Sequence, residues 1–258
     1  MPQAASNPQR VAGLLPRLPF TISFLIVLAL VNVLFAPRAV DGRHRMMLAA
    51  STNLAHLRHG RLDTLVSSAF VLDEVHLWVW WVGTAAVLAG AEIFWRWRAA
   101  AIFAAAHVGA TAAVAAGLAI SIGADRSTAA SEHAVDVGIS YGAVALATSM
   151  TIAWPGVLRW LWAAGWLAGT VDDVVADRTF ADVGHLLAAL IGLGVAVAVA
   201  RTGRAPPRAL TAAGAASALS AGFAVTELDA PAFAVPLVVM AIVAGLLVRR
   251  EMTDSDGG

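Results

Sequence analysis

The chain has 258 residues, 59% of them hydrophobic and 13% charged, with a mean hydropathy of +0.76, a formal net charge of zero and no cysteine. A soluble domain of this length needs far more surface charge, so the composition points to a polytopic helical membrane protein. The lack of cysteine excludes disulfides and thiolate metal sites, and the balanced charge gives no bulk attraction for nucleic acid.

Apolar runs occupy 20–36, 75–94, 99–122, 138–154, 156–171, 181–200, 209–225 and 231–248. They lack strand alternation and are too long for barrel strands, so each is expected to be a helix. Several fall short of the roughly 20 residues of a free-standing span, which a helix enclosed by others tolerates. The expected organisation is an N-terminal cytoplasmic segment 1–19, a membrane core 20–200, two further spans within 201–250 and a tail 251–258. The first run follows Arg10 and Arg17 and is succeeded by Pro37, which disfavours cleavage, so it is expected to stay as an anchor.

The loop 37–74 is not featureless. Its segments 41–50 and 52–70 mix charged and apolar residues at near-helical spacing, as in Leu54, Leu57, Leu62, Leu65 and Val66. An interfacial helix pair is expected there. His44, His56 and His59 lie in this arginine-rich stretch without clustered carboxylates, so no metal site is expected. In the second run, Glu92 beside Arg96 predicts an ion pair at the helix end. In the third, His107 is expected to face the bundle and bond a neighbouring helix. Most tryptophans (Trp78, Trp80, Trp81, Trp95, Trp97, Trp154, Trp160, Trp162 and Trp166) fall near span ends, where interfacial anchors sit.

All 17 basic residues are arginine. Placing both termini in the cytoplasm puts ten of them inside, among them Arg96, Arg98, Arg159 and Arg201, against seven outside, five of which lie in the first loop. Spans four and six then both run from outside to inside. The Ala-, Gly-, Val- and Arg-rich composition fits a GC-rich bacterial genome, so the expected location is the bacterial plasma membrane.

This orientation brings two groups to the same depth, just below the outer surface. Ser140 lies in Gly138-Ile139-Ser140-Tyr141-Gly142, and His185 in Gly184-His185-Leu186-Leu187-Ala188. A hydroxyl and an imidazole are costly in lipid unless buried against protein or used. Gly138 and Gly142 share one helix face, and Gly184, Ala188 and Gly192 form a small-residue stripe that lets helix backbones approach. If the stripes face each other, a serine gains a base beside it. Asp182, three residues before His185, has two readings: a third member orienting the imidazole, or an acid at the helix N-terminus. The capping argument applies to Asp136 as well.

These segments resemble the rhomboid superfamily of intramembrane serine proteases, in which a G-x-S motif on the fourth helix supplies the nucleophile. An A-H-x-x-G-x-x-x-G motif on the sixth helix supplies the base. Here Ala188 stands at the first following glycine and Gly192 matches the second. The phrases His107-Val108-Gly109-Ala110-Thr111, Asp136-Val137-Gly138, Ser51-Thr52-Asn53-Leu54 and Ser67-Ser68-Ala69-Phe70 are closer to an actinobacterial rhomboid-like branch. The resemblance covers roughly 20–200 and implies an all-α six-helix core with about two spans appended.

It also implies acyl transfer by a Ser140/His185 dyad without a cofactor or metal. The oxyanion would be held by the Ser140 N–H, with Gly138, His76 and Trp80 in support. The bilayer and single-span membrane proteins are the expected partners. Three features depart from the family pattern: Tyr141 replaces a small residue, Trp80 stands at the asparagine position, and a Trp-Arg pair is missing from the first loop. A catalytically silent rhomboid-like protein that binds client helices is therefore the alternative. A transporter or channel ranks last, since the charges keep to span ends and the two halves show no repeat.

Overall fold

The computed structural model describes residues 18–35, 40–72, 78–124, 133–154, 156–176 and 179–202. Among these residues there are nine α-helices and no strand, as the sequence predicts. They are α1 (Pro19–Ala29), α2 (Val40–Ala50), α3 (Leu54–Arg58), α4 (Thr64–Ser67), α5 (Trp78–Trp95), α6 (Arg98–Gly123), α7 (Ser140–Ser149), α8 (Gly156–Ala176) and α9 (Phe180–Ala200). The first six apolar runs correspond to α1 and α5 to α9. The expected spans 209–225 and 231–248 lie outside the described residues, as do the segments 1–17 and 251–258.

α6 and α9 are long and apolar enough to cross a membrane. α7 is different: it has ten residues, is prolonged by a tight 3-10 turn at Met150–Ala153, and is buried along its whole length. A helix of that length cannot span lipid alone. It holds the middle of the bundle because α5, α6, α8 and α9 pack around it. Two indoles pin it in place: Trp95 Nε1 donates to Ser149 Oγ at 2.8 Å, and Trp162 Nε1 to the Ala147 carbonyl at 2.8 Å. Trp154, Trp162 and Trp166 are likewise fully enclosed. These tryptophans are therefore core rather than interfacial anchors; a central helix built of Ala, Gly, Ser and Thr leaves room that only large side chains from its neighbours fill. Trp97 and Trp160 remain on the outside.

The start of α1 corrects the reading of Glu92. Its carboxylate is buried and accepts from Phe20 N, Thr21 N and Thr21 Oγ1, each at 2.8 Å. The first N–H groups of a helix have no partner within it and favour a negative charge, so Glu92 caps α1 from α5 rather than pairing with Arg96. Pro19 opens this helix, where its missing N–H costs nothing. Beyond Ala29 the helix widens into a π turn, Leu30–Phe35. Asn32 explains the site of that widening: its amide donates to Leu28 O and Phe70 O at 2.8 Å and accepts from Leu72 N at 2.9 Å. Such local unwinding is the usual accommodation for a polar group inserted into the helical ladder.

The first loop forms α2, α3 and α4, the last continued by a 3-10 turn at Ser68–Phe70. Asn53 caps α3 by accepting from His56 N at 2.8 Å. The Nδ1 atoms of His56 and His59 bond the carbonyls of Ser51 and Ala55 at 2.8 and 2.7 Å. The predicted helical segments are present, yet the loop does more than lie on the flank. Ser51, Thr52, Asn53 and Ser68 are buried, and Ser51, Thr52 and Ser68 reach the segment ahead of α7.

Candidate functional site

Residues 134–139 lead into α7, and the first loop holds them by their backbone. Asp136 N donates to Ser51 Oγ at 2.7 Å, Thr52 N to Asp136 O at 3.2 Å, and Gly138 N to Ser68 O at 2.8 Å. Gly138 has φ +119°, a conformation that disfavours any side chain. This glycine thus turns the chain into α7 instead of sharing a helix face with Gly142, as its spacing predicts. Behind it, Ser68 Oγ lies 3.0 Å from His107 Nε2 and 3.1 Å from Thr52 Oγ1. His107 therefore bonds a neighbouring element, as expected of a buried imidazole in an apolar helix.

α7 and α9 run side by side in the same direction. A Cβ added at Gly184 would overlap the Tyr141 ring, and one at Gly192, two turns on, would overlap Ala145 O and Thr148 Oγ1. Matching starts with starts and ends with ends is the parallel arrangement that the arginine distribution predicts. Gly184, Ala188 and Gly192 are all buried and carry this contact. Gly142 does not belong to it, because its open side is filled by Phe103 of α6.

Ser140 is the first residue of α7 and His185 lies in the second turn of α9; both are buried. They occupy the same end of two adjacent helices. Between them and the rest of the bundle runs an aromatic column. Phe103, His107, Tyr141 and His185 follow one another with ring centroids 6.2, 6.1 and 5.2 Å apart, the last pair edge to face. Neither ring nitrogen of His185 has a hydrogen-bond partner among the described residues, so the Ser140–His185 bond of a closed dyad is not formed. Asp182 is engaged elsewhere. Its Oδ2 accepts from Thr179 N and Thr179 Oγ1 at 2.7 Å, and its own N–H donates to Thr179 Oγ1. This capping box is the second of the two readings open for Asp182, and it leaves the imidazole without an orienting acid. His76 lies outside the described residues, and Trp80 belongs to the first turn of α5.

A family model described as "Rhomboid-like protein" matches residues 15–205. The chain belongs to the rhomboid-like family. No curated protein and no solved structure matches it. The matched stretch takes in every described helix, and membership makes this rhomboid-like chain a membrane protein. The matched region also includes the first-loop residues whose role the sequence left open: Ser51, Thr52 and Ser68 seat the approach to Ser140. Their signal was a Ser-Thr-Asn cap and a serine pair inside an otherwise apolar or basic loop.

Asp136 gives this approach a pH dependence. Burial pushes its carboxyl up to about 7, while the adjacent Tyr141 hydroxyl draws it part of the way down; the two groups are neighbours without a well-formed hydrogen bond. The folded value lies above the 3.8 of an unfolded chain. Its stabilising contribution is therefore fully present below about 4, fades as pH rises and is gone above about 7, where a buried carboxylate must be carried. Asp136→Asn removes that cost. The variant is expected to gain about 3 kcal/mol relative to the parent on going from pH 4 to pH 8. Thermal unfolding at the two pH values checks this; equal shifts at both would show that the Asp136 carboxyl is not raised in the folded protein.

Proposed function

We propose that this protein is an intramembrane serine protease of rhomboid type, cleaving single-span membrane proteins near the outer leaflet of a bacterial plasma membrane, with both of its own termini in the cytoplasm. The observation that carries the reading is the pair of unpartnered nitrogens on buried His185, at the level of Ser140. A buried polar group without a partner costs stability and is retained where it is used. His185 takes the Ser140 hydroxyl proton as the oxygen attacks a peptide carbonyl, then gives it to the departing amine. Water next attacks the acyl-enzyme, His185 taking its proton and passing it to the Ser140 oxygen as the acyl bond breaks, and the acid product leaves. The first-turn N–H groups of α7 face the same end and suit the developing oxyanion. The substrate helix enters from the bilayer, and no cofactor is called for.

Tyr141 favours a second reading. Its ring stands edge-on to His185 at 5.2 Å and fills the space beside Gly184, which suits a silent relative that binds client helices without cutting them. Labelling of the purified protein with a fluorescent fluorophosphonate separates the two. The protease reading expects labelling that both Ser140→Ala and His185→Ala abolish. A folded parent that stays unlabelled, while Tyr141→Ala becomes reactive, assigns the tyrosine as the block and the protein to client binding.

A further inference from the structure

At the end of the bundle remote from Ser140, a cavity of about 650 Å³ opens between the 3-10 turn after α7, the first half of α8 and the last turns of α9. Its volume is in the range that holds a small ligand. The walls are apolar. Small residues, Ala163 and Ala164 on α8 and Ala196 on α9, leave the slot open, and Leu167 and Leu193 also line it. Two arginines, Arg159 and Arg201, line the same cavity. Arg159 spends its Nε on the Trp154 carbonyl at 3.2 Å, and neither guanidinium meets a carboxylate among the described residues. Among the described residues, no acidic side chain lines the cavity.

Two arginines that meet no carboxylate among the described residues, beside an alkyl-lined slot, suit one kind of guest. We propose that this cavity binds an anionic phospholipid, with an acyl chain between α8 and α9 and the phosphate held by Arg159 and Arg201. Guanidinium groups suit phosphate because their planar donors match its oxygens. Basic pockets between spans on the cytoplasmic side meet the leaflet that carries anionic lipid, and the arginine distribution assigns this end to that side.

The test uses the full-length protein, delipidated in mild detergent and titrated with phosphatidylglycerol or phosphatidylcholine of the same acyl composition, with bound lipid counted by native mass spectrometry. One tightly held phosphatidylglycerol is expected, and phosphatidylcholine is expected to be much weaker. Arg159→Gln and Arg201→Gln should each weaken retention about fivefold, and the double variant about thirtyfold. Ala164→Phe, which fills the slot and keeps both charges, should abolish it with the helical circular dichroism unchanged. Glycerophosphate, the headgroup without chains, should not displace the lipid. Equal retention of both lipids, retention insensitive to these variants, or displacement by glycerophosphate would each overturn the proposal. So would a parent protein that takes up no phosphatidylglycerol, which means that residues 203–258 or a second copy of the chain fills the cavity.

Discussion

Glu92→Ala is expected to lower the stability of the folded protein by about 3–5 kcal/mol, the sum of about 1–3 kcal/mol for each donor that loses its acceptor. Among the described residues the carboxylate touches no cation. It is balanced by two backbone N–H groups and one hydroxyl at the start of α1, all at 2.8 Å. Alanine removes the acceptor and leaves the N–H groups of buried Thr21 and half-buried Phe20 without it. Glu92 is itself 2% exposed, so water does not readily take its place at Thr21. Thermal unfolding in detergent should show a midpoint lowered by roughly 10 °C or more, at about 2–4 °C per kcal/mol for a domain of this size. Thr21→Val, which removes only the hydroxyl donor, should cost about 1 kcal/mol. If Glu92→Ala were as mild as Thr21→Val, the carboxylate would not be the anchor of α1. If Arg96→Gln matched it, the ion pair first expected from sequence would be the stronger contact after all.

Glu92 shows where sequence reading stops. Its place near a helix end was legible, and so was Arg96 one turn on, but its true partner is 71 residues earlier in the chain. An i,i+4 pair is visible in a string of letters; a carboxylate on one helix capping another is not. The six apolar runs of the core were legible because 3.6-residue helices in lipid leave long uninterrupted apolar stretches. The parallel course of α7 and α9 was legible from the order of the spans, since the fourth and sixth run the same way. The burial of Trp162 and Trp166 was not, because a tryptophan near a span end has the same letters whether it faces headgroups or a small-residue helix. Gly138 and Gly142 make the same point: equal spacing suggested one face, yet one glycine turns the chain at positive φ and the other receives Phe103. Of the candidate site, what was legible is that Ser140 and His185 sit at the same end of two helices. The first-loop hydroxyls that seat residues 134–138 were marked only by resemblance, with no role attached.

The second large effect is expected at Gly192. An added methyl there would overlap the Ala145 carbonyl oxygen and Thr148 Oγ1 and stand 2.9 Å from the Ala145 carbonyl carbon. Backbone cannot step aside as the end of a flexible side chain can. Thr148 cannot either, since its hydroxyl is committed to Val144 O at 2.9 Å and Ala145 O at 3.2 Å. Relief requires α7 and α9 to move apart, which empties the contact along Ala188 and Gly184 too. Overpacking of this kind costs about 1–3 kcal/mol, and separation of the helices adds lost dispersion along the seam. Gly192→Ala is thus expected to destabilise by about 3 kcal/mol and Gly192→Val by more. Gly194 lies two residues on and faces open space, so Gly194→Ala gains helix propensity without a clash and should be neutral or stabilising by up to about 1 kcal/mol. The two variants also bear on the site. Ser140 and His185 ride on these helices, so any fluorophosphonate labelling should fall with Gly192→Ala even at temperatures where the protein stays folded, and survive Gly194→Ala. Labelling that tracked stability alone, equal in both variants once the folded fraction is matched, would mean that the spacing of α7 and α9 does not set the geometry of the pair.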